Sequence, residues 1–304
     1  MSLSPAYAGY RAGSLVARAL PGPAVLPASG LLGRAAAQAL RPRREMVARH
    51  QRRVRPELSG RALERAIDGV FASYVRYWLE SFRLPGTRPA DIARGVTTEG
   101  FEQVEAAMEA GNGVILALPH VGGWEWAAFW LTQVRGYQVT AVAEPVEPPE
   151  LADWFVGLRR SLGMNIIPLG PSAGTEVVRA LNANHIVCLL CDRDIAGGGI
   201  EVDFFGETTT MPGGPATLAL RSGVPLIPTA TYFGGDRDSH HFILRPALPT
   251  ERQGGLRADV TRVTGLLADD LEWLIRQAPE QWHLMQPNWP SDTAPAVTVA
   301  PGAG

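Results

Sequence analysis

The chain has no lysine: its 28 basic residues are all arginine. That fits the codon bias of a GC-rich genome or, in the alternative, the use of guanidinium groups where phosphate is bound. The glycine run Ala196–Gly199 lacks both the lysine and the spacing of a P-loop and reads as a flexible loop. Only two cysteines occur, Cys188 and Cys191, inside "HIVCLLCDRD". Their odd separation puts them on opposite faces of a strand, so no disulfide is expected, and two thiols make a poor zinc site. A reducing, cytoplasmic setting follows. No apolar run approaches the roughly 20 residues that cross a bilayer. Arginines and prolines interrupt the first forty residues, unlike the core of a signal peptide. The net charge is only -2, which offers no global field for nucleic acid. No internal repeat is visible.

What is present falls into three parts. Residues 1–58 are Ala/Leu-rich and then arginine-dense, and are expected to form a helical, membrane-proximal section. Core-capping helices are the other reading of its first part. The run Arg41–Ala66 reads either as a solvated helix face or as a patch that meets anionic lipid headgroups. Residues 59–290 read as an α/β core. Ser59 is placed to cap a long helix in which Leu63, Ile67, Val70, Phe71, Tyr74, Tyr77 and Trp78 follow helical spacing, with Pro85 beyond its end. From about residue 97, apolar strands alternate with helices, which predicts a mostly parallel sheet flanked by helices on both faces. Residues 291–304 are expected to be a disordered tail.

In such folds ligands sit beyond the carboxyl ends of the strands. His120 lies at one such end, in "ALPHVGGWEWAAFW", and Asp192–Asp194 lie at another. Gly122 and Gly123 let the chain turn tightly before Glu125. The spacing allows the Glu125 carboxylate to reach back to one His120 nitrogen, fixing its tautomer and raising the basicity of the other. Amides at the helix start would face developing negative charge. A glutamate that simply caps the helix is the alternative. "PHVGGWEW" holds no serine or cysteine nucleophile, so the pair would activate a hydroxyl of the substrate itself. Arg193 and Asp194 are read either as an ion pair holding their loop or as substrate contacts. His240 and His241 are placed in a polar turn. Trp124, Trp126, Phe129 and Trp130 line an acyl tunnel or are plain core. Glu201, Asp203 and Glu207 flank Phe204–Gly206 as sugar ligands or as solvated acids.

His120, four residues, then Glu125 resembles the first signature block of the glycerolipid-type acyltransferases. "HVGGWE", "RRSLGMNIIPL", "DRDIAGGGIEVDFFGE", "GVPLIP" and "PEQWHLMQPNW" follow in the order of the lipid A acyltransferase-like group, over about residues 60 to 290. "SYVRYWLESFRLP" adds a likeness to its phosphatidylinositol mannoside acyltransferase branch. The resemblance implies an acyltransferase at the cytoplasmic membrane surface that moves a long acyl chain, such as palmitoyl, from acyl-CoA to a mannose hydroxyl. It implies His120 as general base and Glu125 as its orienting partner, Arg159 toward the acyl donor or headgroup, and Asp192, where glutamate is the family's residue, at the acceptor site. Arg193 and Glu201 complete the expected substrate contacts. No metal or redox cofactor is implied; acyl-CoA is a co-substrate. The rival readings are an acyl-CoA hydrolase, an acyltransferase for another glycolipid or glycerolipid, and a non-catalytic lipid-binding protein.

Overall fold

The computed structural model describes residues 4–293 apart from residues 145 and 237, so most of the expected tail, 294–304, lies outside the described residues. Three helices open the chain: α1 (Pro5–Ala19), α2 (Val25–Ala39) and α3 (Arg41–Val54). They pack around α4 (Gly60–Arg83), whose buried Leu63, Ile67, Val70 and Phe71 recur at helical spacing. Ser59 stands at its start, but its side chain makes no capping bond. At Gly33 of α2 a Cβ would lie 2.6 Å from the Ala72 backbone, so only glycine allows α2 and α4 to cross this closely.

The order then runs α5 (Pro89–Gly95), β1 (Val96–Glu99), α6 (Glu102–Glu109), β2 (Val114–Leu118), α7 (Trp124–Phe129), β3 (Val139–Ala143), α8 (Pro149–Ser161), β4 (Met164–Pro168), α9 (Ala173–Asn182) and β5 (Ile186–Leu190). It continues with β6 (Ile200–Phe204), β7 (Glu207–Met211), α10 (Gly214–Ser222), β8 (Leu226–Phe233), β9 (His240–Leu244), α11 (Leu256–Gln277) and α12 (Pro290–Thr293). Seven strands form one sheet, ordered β1-β9-β8-β2-β5-β3-β4. All its pairs are parallel except β8 with β9.

Two cores sit on the two faces of this sheet. In β2, Ile115 and Ala117 join one with α9, α10 and α11, while Val114, Leu116 and Leu118 join the other with α6 and α7. The alternation follows from the pleat. The cysteines obey the same rule: Cys191 belongs to the first core, Cys188 packs against the second, and both are free.

Several features depart from the sequence reading. β1 is a short, largely exposed edge strand without an apolar pattern to announce it. β6 and β7 form a separate antiparallel hairpin about Phe205 and Gly206, both at positive φ, as a tight two-residue turn requires. His240 and His241 lie in β9 rather than in the turn before it, and His240 is buried. Ser291–Thr293, read as the start of the tail, lie in α12, where Asp292 is buried. Among the described residues no helix is long and apolar enough to cross a membrane.

Candidate active site

β2 and β5 are parallel neighbours in register, with Leu118 opposite Leu190. Two residues beyond that last pair stand His120 on one strand and Asp192 on the other. Strand register therefore sets the two side chains side by side at the carboxyl edge of the sheet. His120 Nδ1 and Asp192 Oδ1 are 2.6 Å apart. The His120 backbone N–H donates to Asp192 Oδ2 at 2.9 Å, and the Trp282 indole N–H donates to the same oxygen at 2.8 Å.

Asp192 is fully buried, whereas His120 keeps 31% of its side chain accessible because it lines a cavity. Burial works against a charged ring, but the adjoining Asp192 carboxylate outweighs it and raises the pKa of His120. Burial likewise opposes the Asp192 charge. His120 and the other donors overcome that and hold the carboxyl below its ordinary value. Nδ1 is committed to Asp192, and Nε2 has no partner among the described residues. The arrangement is a base with one nitrogen anchored and the other free.

This corrects the expectation for Glu125. Its carboxylate turns away from His120. Oε1 accepts the Tyr77 hydroxyl at 2.6 Å and Arg159 Nη2 at 3.1 Å. The physical reason is the helix: Glu125 is buried in the first turn of α7, facing α4 and α8, while register hands the ring to Asp192. Burial raises the pKa of Glu125 despite Arg159, and burial, then Glu125, pushes Tyr77 well up, so the phenol keeps its proton. Arg159 also lies over the Trp124 ring, 4.8 Å from its centroid. Gly122 has φ 59°, and a Cβ there would meet the Thr231 carbonyl at 1.9 Å. The Gly122 amide, just ahead of the helix start, donates to the Gln281 carbonyl.

The cavity is about 270 Å³. Its polar wall carries His120, Glu144, Arg159, Arg193 and His283, and its apolar wall includes Trp124, Leu116, Leu118, Leu131, Cys188 and Phe242. Of the tunnel candidates, Trp124 lines it, while Trp126, Phe129 and Trp130 are core. Burial pushes the Cys188 thiol up to about 12, so it stays neutral in that wall. The structure thus brings together His120, Asp192, Arg159 and Arg193, with Glu125 behind Arg159. Glu201 stands apart, exposed on β6 in a second cavity with Thr208 and Thr210. Asp194 does not pair with Arg193. It accepts the amides of Gly197 and Gly199 and the Thr210 hydroxyl, shaping the glycine loop.

Sequence reasoning missed Tyr77, Trp282 and His283. His283 bonds Ser73 through Nε2 at 2.8 Å, and burial, then the nearby His120, pushes its ring down to about 3. Tyr77 carries no local signal beyond its helical spacing, and the other two lie in the C-terminal block "PEQWHLMQPNW". Among the described residues no group of acidic, cysteine or histidine side chains is placed to hold a metal ion.

A family model described as bacterial lipid A biosynthesis acyltransferase matches residues 3–291. The chain is similar to a phosphatidylinositol mannoside acyltransferase of Mycolicibacterium smegmatis, 37% identical over 290 residues, which span 93% of this chain and 91% of the relative. It is also similar to a phosphatidylinositol mannoside acyltransferase of Mycobacterium tuberculosis, 41% identical over 225 residues, 72% of this chain and 69% of the relative. A lipid A biosynthesis acyltransferase of Haemophilus influenzae is 21% identical over 229 residues, 75% of this chain and 69% of the relative.

Proposed function

Because the chain belongs to the bacterial lipid A biosynthesis acyltransferase family, we propose that it transfers a long acyl chain, palmitoyl or similar, from acyl-CoA to a mannose hydroxyl of a phosphatidylinositol mannoside. The acceptor rests on the activity for which the mycobacterial relatives are named. The observation that carries the chemistry is the free Nε2 of His120 in the wall of a largely apolar cavity, behind which Nδ1 is anchored on Asp192.

In this reading His120 Nε2 takes the proton of the mannose hydroxyl as its oxygen attacks the thioester carbonyl. The carbon–sulfur bond breaks, and the CoA thiolate leaves and recovers the proton from the imidazolium. Asp192 stabilises that imidazolium and holds the tautomer. Glu125 holds Arg159, whose guanidinium offers a fixed fork to phosphate or carbonyl oxygens of the donor. Arg193 serves as a second cationic contact. Glu201 is a sugar contact only for the outer part of a large headgroup.

The enzyme would work as a peripheral protein on the cytoplasmic face of the membrane. Helices α1 and α2 support this by exposing Leu15 and Val16, and Leu31 and Leu32. Of the basic residues in α3, Arg41, Arg43, Arg49 and Arg52 are exposed, whereas Arg44 and Arg53 are held by acidic partners of the same chain. Binding should therefore combine apolar insertion with a modest, salt-sensitive attraction to anionic lipid.

The test is incubation with palmitoyl-CoA, with and without a mannosylated phosphatidylinositol, following CoA release and the acylated glycolipid by mass spectrometry. Acceptor-dependent CoA release with matching acylated product is expected. Palmitate as the product at the same rate in both arms would make the protein a hydrolase. Each methylene buried contributes about 0.8 kcal/mol, so acetyl-CoA should be a far weaker donor. An equally good acetyl donor would refute the acyl cavity.

A further inference from the structure

The segment from Gln281 to Asp292 lies far from His120 in sequence, yet it holds the loop that carries it. Gly122 donates to the Gln281 carbonyl at 3.0 Å, and His283 donates to the His120 carbonyl at 2.8 Å. Val121 and Trp282 form an antiparallel bridge between the two segments. The same segment holds Asp192 twice. Asn288 Nδ2 donates to its backbone carbonyl at 3.0 Å, and the Trp282 indole N–H donates to Oδ2 at 2.8 Å.

We propose that Trp282 is a positioning residue for the acyl-transfer reaction: its indole N–H locks the Asp192 carboxylate and thereby sets the orientation and basicity of His120. The proposal rests on the acyl-transfer reading above. An aspartate carboxylate turns easily about its last torsion, which has broad, roughly two-fold wells. With only the ring and backbone nitrogens of His120 as partners, that torsion could follow His120 as it moved. Trp282 adds a donor from outside the His120 loop, so the carboxylate has an independent reference point. Indole is a donor only. It stabilises the anion and cannot take the proton in its place.

The indole is itself immobilised. Trp282 is 1% exposed, with Phe205 at 5.7 Å and His50 at 5.4 Å between ring centroids. The end of the segment is tied to α3 through Asp292, which accepts from Arg53 Nη1 at 2.8 Å and sits 3.2 Å from His50 Nε2. Packing at this place needs a large aromatic ring. The contact with Asp192 needs the N–H, and the two requirements are separable.

The experiment replaces Trp282 in the full chain with phenylalanine and, by non-natural incorporation, with β-(3-benzothienyl)alanine, which keeps the bicyclic shape and has no N–H. Thermal midpoint, KM for palmitoyl-CoA, kcat with the mannosylated acceptor and the pH dependence of kcat are measured, with His120→Ala alongside. The isostere should melt near the wild type and keep its KM. Its kcat should fall about tenfold, the loss of one hydrogen bond to a charged group. The acid limb of its kcat profile should move to higher pH, because an anion with one donor fewer holds the His120 proton more tightly. A purely structural role would not move that limb. A wild-type kcat and limb in the isostere would overturn the proposal even if Trp282→Phe were unfolded. So would an isostere that fails to fold, since the N–H would then serve stability. Turnover surviving in His120→Ala would overturn the proposal as well, because Trp282 acts through that ring, whereas a wild type without acceptor-dependent transfer would overturn the acyl-transfer reading, a separate outcome.

Discussion

Two histidine–carboxylate pairs lie near α7, and only one of them borders the cavity. His120 meets Asp192 at 2.6 Å and keeps 31% of its side chain accessible. His240 meets Glu80 at 3.0 Å with none of its side chain exposed. Its ring is stacked 4.4 Å from Trp126, and Glu80 also takes Arg76 at 2.6 Å. The chemistry of the two pairs is the same, but their surroundings differ. One nitrogen of His120 faces a cavity with an apolar wall, whereas both nitrogens of His240 are enclosed by protein. An acid beside an imidazole is thus only half of a site; the other half is space for a substrate at the free nitrogen.

The largest break in that comparison should come from His120→Ala. General-base catalysis is worth on the order of 100- to 10,000-fold, so kcat should fall by that factor while the thermal midpoint stays near the wild type. Asp192→Asn should come close to it, since a neutral amide neither supports the imidazolium nor enforces the tautomer. Steady-state transfer assays would show both.

Glu125→Gln comes next and separates the two carboxylates near His120. The amide can keep a Tyr77 hydrogen bond but leaves Arg159 buried beside a neutral partner. Stability should drop by about 3 kcal/mol, measured by denaturant unfolding. KM for the acyl donor should rise as Arg159 loosens, with kcat reduced less than in His120→Ala. A kcat loss equal to that of His120→Ala would return Glu125 to the dyad.

The smallest effect on activity should come from the sealed pair. Glu80→Gln should lower stability by about 2 kcal/mol and leave kcat within about twofold. The pairs should also part along the pH axis. Burial opposes the Glu80 charge, but His240 and Arg76 hold its pKa below the ordinary 4.5. Its stabilising contribution is complete above 4.5 and is lost as pH falls through the lower folded value. His120, raised above 6.5, must be neutral to act as a base, so kcat should fall with acid at a pH above 6.5. The wild type should lose activity well before it unfolds, as parallel activity and circular dichroism titrations would show.

Much was settled by local pattern alone. Alternating apolar strands and periodic helices determined the α/β class, and the placement of His120 at a strand end determined where to look. Free cysteines on opposite faces followed from their odd spacing. Order of motifs along the chain carried the family resemblance, because each block is a local run of residues. What local pattern could not decide was partnership. Only four residues separate Glu125 from His120, yet the helix aims that carboxylate at Tyr77 and Arg159. Asp192 is 72 residues away and becomes the partner because β5 lies beside β2 in register. Trp282 is 90 residues beyond Asp192 and donates to the same carboxylate. His240, polar in sequence, became a sealed core residue once β9 paired with β8. Spacing along a chain limits which groups can meet through local structure. Which distant groups do meet is fixed by strand order and by the packing of both sheet faces, and those exist only in the folded molecule.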